Sequence, residues 1–298
     1  MADTLTTNVH DTALLFEGGG MRGAYTAAVV ATLIEEGIDI DYVAGISAGS
    51  SHTCNYVSRD ARRARRTFVD MVEDPGFGGM GTFLEGKGYF NAHYIYQEAS
   101  LPGRAFGFDW ETFLEDPADA RFGAFNATRG EERWFHKSEL TSVEDLLTVV
   151  RASSSLPVLM PPVTIDGDVY VDGALGPSGG IPLDVAERDG YQKVFAVLTR
   201  PREYRKRPPK PSLQRWFRRH YAESPAVAAG INNRWWHYNR MRERLLEMEA
   251  EGRALLFFPE DIRIQNTETH LDRLQAAYDR GLTQARADVP RWRAFLGL

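Results

Sequence analysis

Short apolar runs alternate with segments of helix-forming residues along the first two hundred positions. The run TALLF, residues 12–16, ends in glycines, and AYTAAVVATLIEEG, residues 24–37, carries helix formers and a closing glycine. A second apolar run, YVAGI at residues 42–46, leads through Ser47 into another segment of helical character. Two strands joined by a helix predict a βαβ unit with a parallel sheet and a right-handed crossover.

The same alternation continues downstream. Residues 120–128 and 132–138 read as paired strands, residues 141–155 as a helix capped by Thr141 or Ser142, and residues 191–199 as a late buried strand. Strands that alternate with helices favour an α/β fold in which helices cover both faces of a central, largely parallel sheet. The glycine-rich residues 75–88 predict a loop or lid with little regular structure.

Length and composition limit which classes of protein this chain can belong to. With 298 residues, 43% hydrophobic and 26% charged, the chain can bury a large core. It shows neither a signal peptide nor a membrane-length apolar run, so we expect a cytoplasmic protein that does not span a membrane. Its single cysteine, Cys54, predicts a small buried side chain rather than a disulfide, metal or redox site.

We divide the chain into three parts. Residues 1–12 are interpreted as a tail, residues 13–200 as an α/β catalytic domain, and residues 201–298 as a helical C-terminal extension packed on it. The net charge of −6 is mild, but residues 201–244 are strongly basic.

A serine motif follows the second predicted strand. Gly45-Ile46-Ser47-Ala48-Gly49 matches G-x-S-x-G at a strand-to-helix turn, where the backbone of the serine is strained and its neighbours two residues away must be small. The following helix directs its free N–H groups and positive dipole end toward this position. The pattern predicts a nucleophilic serine, although a plain turn and helix cap would share it.

A glycine-rich loop follows the first predicted strand. In residues 17–23, EGGGMRG, backbone N–H groups can converge on an anion because few side chains intervene. Beside an activated serine, that anion would be the oxyanion of a tetrahedral intermediate. The loop also matches a dinucleotide fingerprint through Gly18, Gly20 and Gly23. However, the candidate acids Asp39 and Asp41 precede the second strand instead of ending it.

An aspartate completes the set. Asp172 ends a short predicted strand and enters a turn with Gly173 and Ala174, a position that by itself is typical of an ordinary turn aspartate.

Together the three motifs resemble the patatin-like phospholipase family, here in the form of a bacterial patatin-like serine acyl hydrolase. The resemblance covers about residues 13–200 and includes the supporting stretches at residues 152–163 and 179–199. It implies a three-layer α/β/α fold, with Ser47 as nucleophile and Asp172 as its base. The implied oxyanion hole comes from the loop residues Gly18, Gly19, Gly20, Met21, Arg22 and Gly23.

In such a dyad the aspartate must take a proton from a hydroxyl, which a carboxyl with a pKa of about 3.9 does poorly. We therefore expect burial to raise the pKa of Asp172, and we expect its side chain to contact Ser47 directly. A Ser-His-Asp triad is the rival, because His220, His237 and His270 all follow Asp172 along the chain.

The resulting prediction is a lipid or other ester hydrolase that needs neither metal nor cofactor and binds no nucleic acid. Arginines and aromatic residues intermingle in residues 213–244, which predicts either peripheral contact with an anionic membrane or a helix pair packed on the domain. The alternative function is a non-hydrolytic protein whose glycine loop binds a nucleotide or acidic lipid. Chain-length preference, substrate class and oligomeric state stay open at this point.

Overall fold

The computed structural model describes residues 5–298, which form one eight-stranded sheet with helices on both faces. In chain order the strands are β1 (Val9–Phe16), β2 (Ile40–Ile46), β3 (Asp119–Asn126), β4 (Glu131–His136), β5 (Val163–Ile165), β6 (Asp168–Asp172), β7 (Lys193–Val197) and β8 (Ala254–Phe257). The helices are α1 (Gly23–Glu35), α2 (Ala48–Val57), α3 (Ala61–Arg66), α4 (Met80–Leu84), α5 (Ala92–Gln97), α6 (Trp110–Glu115), α7 (Val143–Ser154), α8 (Leu183–Arg188), α9 (Pro211–His220), α10 (Pro225–Ala250) and α11 (Leu271–Leu296).

The sheet is largely parallel, as the alternation of strands and helices predicts. Its order is β5–β6–β3–β2–β1–β7–β8, and β4 pairs with β3. Strands β3, β2, β1, β7 and β8 run parallel to their neighbours in that series. The pairs β3–β4, β3–β6 and β5–β6 are antiparallel. The predicted strand pair at residues 120–138 is therefore confirmed as β3–β4.

Alternate side chains of each central strand enter two separate cores, because successive residues of a strand point to opposite faces. In β1, Leu14 and Phe16 pack with α1, α2, α7 and α11, whereas Ala13 and Leu15 pack with α8 and α10. All four side chains are buried. The result is the three-layer α/β/α architecture that the family resemblance implies.

The observed elements change one predicted boundary and add one strand. Strand β1 begins at Val9, so the predicted tail of residues 1–12 is too long. The region 201–298 is largely helical, as predicted, and it also contributes β8, which extends the sheet beside β7. The run Ala254–Phe257 is too short to stand out between two 26-residue helices, yet both of its faces are buried.

Local sequence signals predict the start of helix α7 correctly, but they miss a helix in the glycine-rich segment. Ser142, one of the two predicted caps, is the N-cap of α7 and forms a capping box with Asp145. Residues 75–88 do include a helix, α4, so the expectation of little regular structure is wrong there. The apolar side chains of Met80 and Leu84 on α4 are exposed.

The basic aromatic segment, residues 213–244, lies on two helices that differ in how deeply their side chains are buried. No residue of α9 is buried, and Leu213 and Trp216 on that helix are exposed. In α10, by contrast, Tyr238 and Met241 lie in the core with 2% and 0% exposure. Within the described part of the chain, no helix combines the length and apolar character required to cross a bilayer.

Candidate active site

Two strands meet end to end at one edge of β3 and bring Ser47 next to Asp172. Strand β2 runs parallel to β3 and ends with Ile46 opposite Gly123. Strand β6 runs antiparallel to β3, and its last residue, Asp172, lies opposite Ala124. Because Gly123 and Ala124 are consecutive, the carboxyl ends of β2 and β6 face each other across one residue step.

Ser47 occupies a strained turn between β2 and α2. Its φ of 57° and ψ of −124° lie in a region that residues other than glycine rarely adopt. A residue held in such a conformation destabilises the folded state by about 1–3 kcal/mol. The close approach of the surrounding backbone requires glycine on both sides. A Cβ at Gly45 would lie 2.2 Å from the Gly49 carbonyl oxygen, and a Cβ at Gly49 would lie 2.1 Å from that of Phe16. This is the backbone geometry of a nucleophile elbow.

Ser153, at the end of α7, stabilises the turn at Ser47 through hydrogen bonds. Its buried hydroxyl accepts the backbone N–H of Ser47 at 2.9 Å and donates to the carbonyl of Gly123 at 2.5 Å. The hydroxyl of Ser50 lies 2.8 Å away and donates to the carbonyl of Gly45. Motif reasoning missed Ser153 as a positioning residue, although the stretch at residues 152–163 contains it.

Asp172 is almost fully buried, with 1% exposure. Its backbone N–H donates to the carbonyl of Ser155, and its carboxylate accepts the N–H of Ala174 at 2.8 Å. Burial raises the pKa of Asp172, which is the expected direction. The positive charge of Arg234, the backbone N–H of Ala174 and the nearby hydroxyl of Ser47 counteract part of that rise in pKa. The Ser47 hydroxyl therefore lies close enough to Asp172 to influence its pKa.

The glycine-rich loop presents free amides to this site. Five of its N–H groups donate to backbone carbonyls and are occupied: those of Glu17, Gly18, Met21, Arg22 and Gly23. The amides of Gly19 and Gly20 have no acceptor in the described part of the chain, and neither has that of Ala48 at the start of α2. The amides of Gly19, Gly20 and Ala48 are therefore available as hydrogen-bond donors to an anion.

Distant segments hold the loop in place. The N–H of Gly18 donates to the carbonyl of Gly180 at 3.0 Å, and that of Met21 donates to the carbonyl of Asn266 at 3.0 Å. Gly20 has a φ of +56°, and a Cβ there would lie 2.6 Å from the Asn266 carbonyl oxygen, so this position requires glycine. Asn266 belongs to the C-terminal region, which thus contacts the loop directly.

An apolar pocket opens beside Ser47. Its cavity volume is about 80 Å³, so the pocket is narrow. The lining includes Met21, Phe68, Met71, Phe77, Phe90, Ile95, Phe108, Leu147, Val150, Leu156 and Met160. Cys54 also lines it, and burial raises the pKa of this thiol to about 12, which agrees with the predicted inert, buried cysteine. The pocket suits an extended hydrocarbon chain.

The three histidines proposed for a triad lie in other surroundings. His220 is exposed on α9 and stacks on Trp216 at 4.6 Å. His237 lies on α10, where burial lowers its pKa. His270 pairs with Glu268 at 2.7 Å. None of the three hydrogen-bonds to Ser47 or Asp172 among residues 5–298, so the geometry does not favour the triad.

A fourth histidine and the dinucleotide acids also lie apart from the dyad. The imidazole of His52 hydrogen-bonds to Thr26 at 2.8 Å, and burial lowers its pKa to about 3. Asp39 pairs with Arg59, and Asp41 pairs with His10, both near the start of β2. A ribose-binding acid belongs at the opposite end of that strand, which argues against the dinucleotide interpretation.

The fold and the site together define an α/β protein with a serine on a strained strand-to-helix turn, a buried carboxylate facing it and free backbone amides beside both. The family model described as patatin-like phospholipase matches residues 14–186, which is more than half of the chain. The chain therefore belongs to the patatin-like phospholipase family. A second model, a domain of unknown function named DUF6363, matches residues 224–297.

Comparisons with individual proteins agree with this family assignment. The chain is 26% identical over 209 residues to the uncharacterized protein YjjU of Escherichia coli K12, covering 70% of this chain and 55% of that protein. It is also 26% identical over 210 residues to human patatin-like phospholipase domain-containing protein 6, covering 66% of this chain but 14% of that protein. The crystal structure of VipD from Legionella pneumophila superposes with a TM-score of 0.50 at 12% identity, covering 93% of this chain and 66% of that one, which shows the fold alone.

Family membership supports lipid ester hydrolysis as a general activity. The chain spans about half the length of the bacterial relative and a small part of the human one, so the similarity is confined to the shared region.

Proposed function

We propose that this protein is a serine acyl hydrolase that cleaves lipid carboxylic esters through a dyad of Ser47 and Asp172. The observation that carries the proposal is the joint placement of the strained Ser47 turn, the buried Asp172 carboxylate and the apolar pocket. Each feature alone has an ordinary structural explanation. Their convergence supplies a nucleophile, a base and a binding site for an acyl chain.

In the acylation step, the Ser47 Oγ attacks the ester carbonyl while the Asp172 carboxylate accepts the hydroxyl proton. The negative charge that develops on the carbonyl oxygen is stabilised by the N–H groups of Gly19, Gly20 and Ala48. One such donor typically contributes about 3–4 kcal/mol to transition-state stabilisation. When the intermediate collapses, the carbon–oxygen bond to the alcohol breaks, and the alcohol takes the proton from Asp172. An acyl ester on Ser47 remains.

In the deacylation step, Asp172 takes a proton from a water molecule that attacks the acyl carbonyl. The same amides stabilise the second oxyanion. Collapse then releases the fatty acid, and the Ser47 Oγ recovers its proton from Asp172. The raised pKa of Asp172 suits both steps, because a more basic carboxylate accepts a proton from a hydroxyl or water more readily.

Covalent labelling and turnover test the dyad together. We expect a fluorophosphonate probe to label the wild-type protein and a short-chain p-nitrophenyl ester to be hydrolysed, with both signals abolished in Ser47→Ala. Asp172→Asn should lower turnover by about 10³-fold or more, by analogy with the loss of a triad member. Asp166→Asn is the matched control, since Asp166 is exposed on the turn before β6.

Two results would count against this mechanism. If correctly folded wild-type protein is neither labelled nor active, the non-hydrolytic binding function is favoured. If Asp172→Asn keeps the activity of Asp166→Asn, another group acts as the base.

The second part of the proposal concerns how the enzyme meets its substrate. Six apolar residues on α4, on α9 and in the loop before β5 are exposed, and we call them the apolar rim: Met80, Phe83, Leu84, Val158, Leu213 and Trp216. The segment that follows α4 is attached to the loop before β5, because the N–H of Tyr89 donates to the carbonyl of Leu159 at 2.8 Å. That loop in turn packs beside α9, since Val158, Leu213 and Trp216 line one shallow cleft.

Arginines on α9 complement the apolar rim. Arg215, Arg218 and Arg219 are exposed on the same helix as Trp216, a combination typical of helices that bind anionic lipid surfaces. The proposed membrane contact is therefore concentrated in α9 and α4, and α10 serves mainly as a packing helix.

Vesicle sedimentation tests this contact. We expect the wild type to bind phosphatidylglycerol vesicles and the triple variant R215Q/R218Q/R219Q to lose most of that binding, because each basic residue near such a surface contributes about 1 kcal/mol. Turnover of a soluble p-nitrophenyl ester reports whether the variant is folded. Undiminished vesicle binding by the triple variant would refute the proposal.

A further inference from the structure

A positively charged side chain lines the otherwise largely apolar pocket beside Ser47. It is that of Arg63 on α3, which belongs to the pocket lining although the residue is only 6% exposed. Among residues 5–298, no carboxylate oxygen lies within 4 Å of its guanidinium. A buried cation is normally paired with an anion, because the loss of its hydration is otherwise not compensated. An unpaired charge in this pocket therefore needs a physical explanation.

Neutral oxygens accept only some of the hydrogen bonds that Arg63 can donate. Its Nε donates to the carbonyl of Phe106 at 3.0 Å, its Nη1 to the amide oxygen of Asn55 at 2.5 Å and its Nη2 to the hydroxyl of Ser100 at 3.1 Å. These three partners fix the guanidinium in place but do not neutralise its charge. Because a guanidinium has five N–H groups, one on each Nη is left without an acceptor in the described part of the chain.

The surrounding protein compensates the charge of Arg63 poorly. Burial lowers the pKa of this guanidinium, since the charged form loses its hydration. The charge of Asp60 opposes that decrease in pKa, but the Asp60 carboxylate caps α3 and accepts the backbone N–H of Arg63 at 2.8 Å. A second anion near the guanidinium would stabilise its charged form further.

The pocket extends along one face of α2 from Ser47 toward Arg63. The lining residues on this helix and its N-cap share that face: Ser47, Ala48, Ser51 and Cys54. The next residue, Asn55, is the one that binds the guanidinium. With a rise of 1.5 Å per residue, the distance along the helix from Ser47 to Asn55 is about 12 Å. The cation thus lies at the end of this face that is remote from the reacting serine.

Polar side chains surround the cation at that remote end. Thr67 and Ser100 both line the pocket, and the Thr67 hydroxyl donates to the backbone carbonyl of Arg63 at 2.8 Å. We call Arg63, Thr67 and Ser100 the distal polar group. Much of the remaining wall is apolar and comes from the segment between α3 and α6: Phe68, Met71, Phe77, Phe90, Ile95 and Phe108. The pocket therefore has a reactive serine at one end, an apolar middle and a cation at the other end.

We propose that the distal polar group binds a carboxylate at the far end of the acyl chain, so that the preferred acyl donor is a medium-length chain with a terminal carboxylate. This inference rests on the proposed hydrolase function. A carboxylate is the best match in chemical terms, because its two oxygens can accept both remaining N–H groups and its charge pairs with the buried guanidinium. A terminal methyl group would leave those donors without acceptors.

The first experiment compares acyl chains that differ only at the far end. The p-nitrophenyl monoester of azelaic acid and p-nitrophenyl nonanoate have acyl chains of equal length, and the ratio of their kcat/KM values is taken for each protein. Effects on the ester chemistry itself cancel in this ratio. We expect the wild type to favour the azelaic ester and R63Q to lower the ratio about 10- to 100-fold. The matched control is R62Q, since Arg62 is an exposed neighbour on α3, and its ratio should equal that of the wild type.

A shorter pair of esters tests the position of the cation. The p-nitrophenyl monoester of adipic acid is compared with p-nitrophenyl hexanoate. This chain ends before it reaches Arg63, so the wild type should show little or no preference for the carboxylate. An equal preference in the short and the long pair would place the recognising cation elsewhere and overturn the assignment to Arg63.

A binding measurement does not depend on turnover. Monomethyl azelate and methyl nonanoate are titrated calorimetrically into the Ser47→Ala protein. We expect monomethyl azelate to bind about 10-fold or more tightly than methyl nonanoate, and we expect S47A/R63Q to lose that difference. Melting temperatures establish that each variant is folded. Should R63Q fail to fold, the comparison of the two esters in wild-type protein decides.

The outcomes distinguish this inference from the proposed function. A ratio well above one that R63Q abolishes and R62Q keeps supports the distal carboxylate site. A wild-type ratio of one or below, with nonanoate hydrolysed, overturns the site and leaves the hydrolase function standing. If the wild type hydrolyses neither these esters nor p-nitrophenyl acetate, the hydrolase function fails. The titration then tests the site alone, and equal affinities for the two methyl esters would overturn it.

Discussion

Removal of the Ser153 hydroxyl should weaken the fold modestly and the catalytic step strongly. In Ser153→Ala the backbone N–H of Ser47 loses its acceptor at 2.9 Å while it stays buried. A buried donor without a partner costs about 1–3 kcal/mol, so we expect the free energy of unfolding to fall by about 2 kcal/mol. The same hydrogen bond stabilises the strained φ of 57° at Ser47. If the turn relaxes by about 1 Å, kcat should fall by about 100-fold.

Urea denaturation and p-nitrophenyl ester kinetics measure the two effects separately. Ser58→Ala is the matched control, because Ser58 is also a buried serine but lies at the far end of α2. That variant should keep wild-type kcat. A Ser153→Ala protein that loses stability but retains full kcat would show that the strained turn does not depend on this hydrogen bond. A variant with unchanged stability would show that the Ser47 N–H finds another partner.

Three further predictions concern strain, proton transfer and the pocket. Ser47→Gly should be more stable than Ser47→Ala by about 1 kcal/mol in urea denaturation, because glycine adopts a φ of 57° without strain; equal stabilities would contradict stored strain. Since the dyad needs Asp172 deprotonated, kcat/KM should rise with pH through the raised pKa of Asp172. Arg234→Gln should move that rise to higher pH, because the lost positive charge had lowered the pKa; an unchanged pH profile would exclude Asp172 as the titrating base. Val150→Phe fills the apolar pocket and should reduce the kcat/KM ratio of long-chain to short-chain p-nitrophenyl esters about 10-fold; a constant ratio would place the acyl chain elsewhere.

Much of the site follows from local sequence. A five-residue motif marks the turn at Ser47, and the steric conflict that excludes a side chain at Gly45 arises from backbone within that motif. The conflict at Gly49 comes from the Phe16 carbonyl on the neighbouring strand. The first βαβ unit and the cap of α7 are equally local, since each depends on short-range periodicity and hydrogen bonding.

Other features depend on contacts between segments far apart in the chain. No local pattern reveals that β6 runs antiparallel to β3 and stops opposite the end of β2, yet this pairing alone brings Asp172 to Ser47. Likewise, the sequence leaves the histidines open as candidates, and only their packing on α9, α10 and beside Glu268 separates them from the dyad.

The sequence by itself therefore determined the chemical groups: the strained serine, the glycine-rich loop, the aspartate and the family to which they belong. The tertiary structure decided which groups act on one another. It joins the Ser153 hydroxyl to the Ser47 amide and brings Lys206 and Arg234 to a site whose dyad lies in the first 172 residues. The physical reason is that turn geometry is a short-range property, whereas burial, electrostatic interaction and strand pairing arise from residues that meet only when the chain has folded.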